Sequence, residues 1–133
     1  MAYYHDEITQ KSWEELKRIK SLLNFVLIGG WAVYLYTKGL KSKDIDIILD
    51  FGKLEKLREI YADVHKNERL LKYEAVLGEV QVDVYLPHYS NIGIPVEVLM
   101  EAKKLVDGFE VLDPDYLMVL KIFTYAQRKN SSK

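Results

Sequence analysis

The segment from Phe25 to Asp50 limits what this chain can fold into more than any other. Phe25-Val-Leu-Ile28 is a short apolar run, and Gly29-Gly30 closes it with two residues that have no Cβ to obstruct a tight turn. Trp31, Tyr34 and Leu35 then recur at helical spacing. Asp44 and Asp46 flank Ile45 at the start of the apolar run Ile45-Asp-Ile-Ile-Leu49. Residues two apart in a strand point the same way, so a strand opening here projects both carboxylates from one face. Two acids side by side are costly unless a cation lies between them. The stretch therefore reads as strand, glycine turn, short helix and strand, with a candidate metal site at its end.

The flanking sequence supplies a packing framework. Ser12-Trp-Glu-Glu15 has the form of a capping box, with Trp13, Leu16, Ile19, Leu22 and Leu23 forming an apolar stripe behind it. After Phe51-Gly52, the positions Leu54, Leu57, Ile60 and Tyr61 predict an amphipathic helix over 54–64, followed by a polar loop over 65–69. Residues 70–76 and 80–86 predict a hairpin turning at Leu77-Gly78. In its second strand Val80, Val82, Val84 and Leu86 share one face, while Gln81, Asp83 and Tyr85 share the other. Asp83 thus lies mid-strand on the polar face, a poor place for an acid without a partner. A loop over 87–95, a helix over 96–106 stopped by Asp107-Gly108, and a strand over 109–112 follow. Asp113-Pro114-Asp115 is a helix start, with an N-cap acid and proline at the first position, and a densely apolar helix runs over 116–127.

The 133 residues, 49% of them hydrophobic, suit one domain with a core of its own, and residues 1–11 and 129–133 are expected to be flexible ends. No apolar run approaches the roughly 20 residues that cross a bilayer, so no membrane association is expected. The N-terminus lacks the layout of a signal peptide, and the absence of cysteine excludes disulfides, a thiol nucleophile and a cysteine zinc site. A cytoplasmic protein is the expectation. With a net charge of −1 the chain has no global basic field to attract nucleic acid.

The candidate chemistry rests on Asp44, Asp46 and Asp83. Magnesium prefers oxygen ligands, commonly one or two carboxylates with substrate phosphates and water. A third acid from a neighbouring strand completes a two-metal arrangement or serves as general base. Gly29-Gly30, directly before a helix, offers free backbone amides to a polyphosphate. Taken singly, a Gly-Gly turn is commonly punctuation and an Asp-x-Asp at a strand end a solvated edge. His5, His65 and His88 are scattered in polar segments without metal spacing and read as surface residues. No nucleophile-elbow motif supports Ser-His-Asp catalysis.

Taken in order, Gly29-Gly30, a short helix, Asp44-Ile-Asp46 opening a strand and the later strand acid Asp83 resemble the nucleotidyltransferase superfamily of DNA polymerase beta. Gly29-Gly-Trp-Ala32 with Ser42-Lys-Asp-Ile-Asp46 is most similar to its AbiEii-like toxin branch, as are Ile94-Pro-Val-Glu97 and Val111 to Lys121. The resemblance spans roughly residues 25–128. It implies an α/β nucleotidyltransferase fold, a small mixed sheet with helices packed mainly on one face. It also implies magnesium held by Asp44, Asp46 and Asp83, with Asp83 helping to deprotonate the acceptor. Gly29, Gly30, Ser42 and Lys121 would meet the phosphates of a nucleoside triphosphate such as ATP. Two departures stand out. Gly30 replaces the serine of many active members, and Leu40 occupies a position where relatives often carry arginine, leaving Lys41 or Lys43 as point charges.

The implied activity is transfer of a nucleoside monophosphate to an acceptor hydroxyl, with release of pyrophosphate. The acceptor (a tRNA end, a protein or a small molecule) is not encoded in the motif. Relatives often continue beyond the position of Arg128, so the substrate-selecting parts are expected to be either missing here or supplied by a protein partner. The alternative is a non-catalytic interaction module of a two-component, toxin–antitoxin-like system that keeps the fold and its acids.

Overall fold

A computed structural model describes the backbone of residues 2–131 and the side chains of residues 6–127. In chain order the helices are α1 (Ala2–Leu22), α2 (Gly29–Thr37), α3 (Leu54–Ile60), α4 (Val96–Leu99) and α5 (Pro114–Ser131). The strands are β1 (Val26–Ile28), β2 (Ile45–Ile48), β3 (Val64–Asn67), β4 (Lys72–Leu77), β5 (Val80–Tyr85), β6 (Lys103–Val106) and β7 (Phe109–Leu112). They form one mixed sheet in the order β3-β4-β5-β2-β1-β7-β6. The pairs β2–β5 and β1–β7 are parallel and the other neighbours antiparallel.

Register explains how this sheet divides its two faces. Tyr73, Val84, Ile47, Leu27 and Val111 pair in succession across β4, β5, β2, β1 and β7. Paired residues share a face, so this row is one continuous apolar line under the helices. Trp13 of α1 packs on Phe109 of β7 with ring centroids 6.0 Å apart, and Arg58 of α3 lies 5.7 Å over the Tyr73 ring. Leu16, Ile19, Leu57, Ile45, Ile47 and Val82 are fully buried in the layer between. The opposite face carries the adjacent row: Glu74, Asp83, Asp46 and Ile28. One face is therefore covered by helices, and the other holds the acids.

Three stretches of the chain differ from the sequence expectation. Helix α1 does not begin at a Ser12 cap; it starts at Ala2, with Ile8 and Thr9 already buried. Ser12 is a fully buried mid-helix residue whose Oγ accepts a hydrogen bond from Trp31 Nε1 at 2.8 Å. Helix α3 stops at Ile60, and Val64–Asn67 forms β3 where a loop is predicted. As an edge strand β3 leaves His65 and Lys66 exposed, so it has no apolar alternation to announce it.

The predicted helix over 96–106 is a single turn, α4, followed by strand β6. Asp107 and Gly108 have φ of 51° and 84°. Two consecutive positive φ values make the hairpin turn for which Asp-Gly is the strongest short signal, rather than a helix stop. Lys38, in the left-handed conformation at the end of α2, ion-pairs with Asp107 and ties that turn to the helix. The other predicted elements form close to their expected bounds. Asp113 Oδ1 accepts from the Asp115 amide at 3.0 Å at the start of α5.

Candidate active site

Strand register builds the site. The parallel pairing of β2 with β5 sets Asp46 opposite Asp83, and the antiparallel pairing of β4 with β5 sets Glu74 on the far side of Asp83. Three carboxyl groups thus stand in one row on three neighbouring strands. Asp46 and Asp83 are direct neighbours across the β2–β5 pair, close enough for Asp83 to act on the Asp46 carboxyl. Asp83 is 8% exposed; its Oδ1 accepts from Gln81 Nε2 at 2.7 Å, and its Oδ2 lies 3.2 Å from Lys72 Nζ. Lys72 also reaches Glu74 Oε2 at 3.4 Å. Glu74 meets His65 Nε2 at 2.9 Å and accepts from Asn67 Nδ2 at 3.3 Å.

The electrostatics follow from that crowding. Burial pushes the Asp46 carboxyl up to about 7, the Asp83 charge adds to the push, Lys72 opposes it, and Asp44 raises it further. Burial works in the same direction on Glu74, but hydrogen bonds from Asn67 and His65 and the Lys72 ammonium outweigh it and hold that carboxyl below its ordinary range. Tyr85, two residues beyond Asp83 on the same face, has its hydroxyl pushed up by burial and by the charges of Asp46 and Asp83.

The glycine turn meets this row at Asp46. Gly29 opens α2 with φ +71°, and a Cβ added there would lie 2.4 Å from Asp46 Oδ2. Only glycine permits both the backbone conformation and the approach of the carboxylate. At Gly30 an added Cβ would lie 2.7 Å from Ser42 Oγ, and that hydroxyl donates to the Asp44 carbonyl at 2.7 Å. The first turn of α2, with unpaired amides and the positive end of its dipole, is therefore packed against the loop that delivers Asp44 and Asp46.

Of the residues singled out from sequence, Gly29, Gly30, Ser42, Asp44, Asp46 and Asp83 converge. Lys121 is exposed on α5, outside the network joining the others, and Leu40 is 87% exposed in the loop after α2. Side chains at His5 and Arg128 lie outside the described residues. Lys72, Glu74, Gln81 and Tyr85 complete the site and were not singled out from sequence. Their signal is alternation: Lys72 and Glu74 share a strand face, as do Gln81, Asp83 and Tyr85, but only the register between the strands joins the two sets. His65, read as a surface residue, is half exposed, yet it props Glu74.

Among the described residues no group of three or more His, Asp or Glu forms a ready-made metal cage. What the face offers is the Asp46–Asp83 pair, with Asp44 close enough to act on Asp46. Two carboxylates side by side on neighbouring strands fit a hard divalent cation whose remaining ligands come from substrate phosphates and water.

No family model matches the sequence, and no curated protein does. Among solved structures, a "putative nucleotidyltransferase" from Thermotoga maritima matches with a TM-score of 0.64 and 18% identity, over 90% of this chain and 89% of that one. The chain shares the fold of that protein over this range.

Proposed function

We propose that this chain is a magnesium-dependent nucleotidyltransferase that moves a nucleoside monophosphate from a nucleoside triphosphate to an acceptor hydroxyl. The observation that carries the proposal is the placement of Asp46 and Asp83 in register on parallel neighbours, with Asp46 against the glycine turn of α2. The name given to the Thermotoga maritima neighbour supports the same activity class. Gly29-Gly30-Trp-Ala32 and Ser42 to Asp46 favour the AbiEii-like branch of that class. A triphosphate-dependent reaction belongs in the cytoplasm, and no described helix is long and apolar enough to cross a membrane.

Each residue has a definite task in the proposed reaction. Amides at Gly29 and Gly30 and the Ser42 hydroxyl receive the phosphates at the positive end of α2. Lys121 is the remaining cation assigned to the triphosphate. Asp44, Asp46 and Asp83 would hold magnesium, which when bound neutralises charge on the attacking and leaving oxygens. The acceptor oxygen bonds to the α-phosphorus, the bond from that phosphorus to the bridging oxygen breaks, and pyrophosphate leaves. Asp83 takes the acceptor proton, and its contacts to Gln81 through Oδ1 and to Lys72 through Oδ2 fix its orientation. Incubating the chain with each α-labelled triphosphate and cell extract should label one acceptor class, and Asp46→Asn should abolish labelling. No Mg-triphosphate binding, together with an Asp46→Asn variant indistinguishable from the parent, would sink the proposal.

A second reading has an observation of its own. Lys72 already balances the acids without any metal, which suits a non-catalytic module acting through a protein partner. Stable co-purification with a partner and no transfer by the complex would favour it. Transfer by the isolated chain would exclude it.

A further inference from the structure

We propose that Lys72 is a tethered counter-ion that occupies the acid pair when metal is absent and shifts to Glu74 when a divalent cation binds. The inference rests on the metal site assigned above and adds to it a residue that sets metal affinity. Lys72 lies on β4, two residues from Glu74 and on the same face, with its side chain only 11% exposed. An ammonium held this far from water is costly unless carboxylates surround it. Its Nζ is 3.2 Å from Asp83 Oδ2 and 3.4 Å from Glu74 Oε2, so one side chain bridges two acids at nearly equal distance.

The two partners are not equivalent. Asp83 pairs in register with Asp46, the other half of the proposed metal pair. Glu74 faces away from it and is fixed by His65 and Asn67. A divalent cation at Asp46 and Asp83 repels the ammonium, which keeps a charged partner by closing on Glu74 through a small side-chain rotation. Glu74 is thus the resting place for Lys72 in the metal-bound state. The arrangement holds the acids together before loading and makes metal binding a competition between two cations for Asp83. Opposite effects are expected when the competitor is deleted and when its alternative partner is deleted.

The test measures Mn2+ affinity by calorimetry or by the spectrum of free Mn2+, without any turnover. Lys72→Met should bind Mn2+ about tenfold more tightly than the parent. Glu74→Gln, which confines Lys72 to Asp83, should bind it several-fold more weakly. Lys43→Met, removing an exposed lysine beside Asp44, serves as control and should change affinity by less than about twofold because solvent and salt screen it. In chelator the Lys72→Met protein should melt at a lower temperature than the parent, and saturating Mn2+ should close the gap. If Lys72→Met does not fold, Lys72→Gln is read in its place. Asp46→Asn separates the two levels of the proposal. Unchanged Mn2+ binding in that variant refutes the metal site itself. Lost binding in Asp46→Asn, together with unchanged or weaker binding in the Lys72 variants, refutes the counter-ion and leaves the metal site standing.

Discussion

A carboxyl group partly withdrawn from water and beside a second acid resists ionisation, and Asp46 is in that position. Its pKa is pushed from 3.8 to about 7, first by burial and then by Asp83. The folded chain therefore keeps a proton that the unfolded chain releases above 3.8. Stability present at low pH is lost as pH rises through the window from 3.8 to about 7, at up to about 1.4 kcal/mol per pH unit. In chelator, the melting temperature of the parent protein should fall relative to that of Asp46→Asn between about pH 5 and pH 7. Saturating magnesium should abolish that difference in slope, because a bound cation favours the ionised pair. Parallel pH profiles for the two proteins in chelator would show that the acid pair carries no such proton.

At the scale of elements, α1 and α2 are bolted together by one buried polar bond. Ser12 is fully enclosed, Trp31 is 1% exposed, and the indole N–H has Ser12 Oγ as its acceptor. Ser12→Ala should cost about 1–3 kcal/mol, because it strands a buried donor and makes no compensating contact. Denaturant unfolding measures that loss; a change below about 0.5 kcal/mol would show that the indole finds another acceptor. The same residue shows where sequence reading stops. Ser12 followed by Glu15 has the local form of a cap, and only the position of Trp31, nineteen residues on, shows that the hydroxyl is committed elsewhere. The helix read over 96–106 has a similar cause. Glu101 to Val106 contains good helix formers, and the hairpin turn at Asp107-Gly108 together with pairing to β7 overrides their preference. Asp44, Asp46 and Asp83 were legible because spacing and alternation are local. Lys72 and Glu74 were not, because their place beside Asp83 is a matter of register between strands.

At the scale of the whole molecule, the acids lie on central strands. In the order β3-β4-β5-β2-β1-β7-β6, both β5 and β2 have hydrogen-bonded neighbours on each side, and the edges are the half-polar β3 and the hairpin strand β6. Backbone paired on both sides opens least, so the metal-binding half of the proposed site has a stiff foundation. The phosphate-binding half is built from the first turn of α2 and the loop before β2, where amides remain free to gain a partner. Binding of a Mg-triphosphate should therefore slow hydrogen exchange most at residues 29–32 and 40–46, only slightly within β5, and not at β6. Lys121 provides the discriminating variant, because it stands on α5, outside the network of the acids, and is assigned to the triphosphate by the proposal alone. Lys121→Ala should weaken triphosphate binding by about fivefold, as loss of one partly solvated ion contact does, and leave Mn2+ binding in the absence of nucleotide unchanged. An unchanged triphosphate affinity would remove Lys121 from the site and leave the phosphates to α2 and Ser42. Protection centred on β6 instead would place the nucleotide away from the acids and overturn the proposed activity with it.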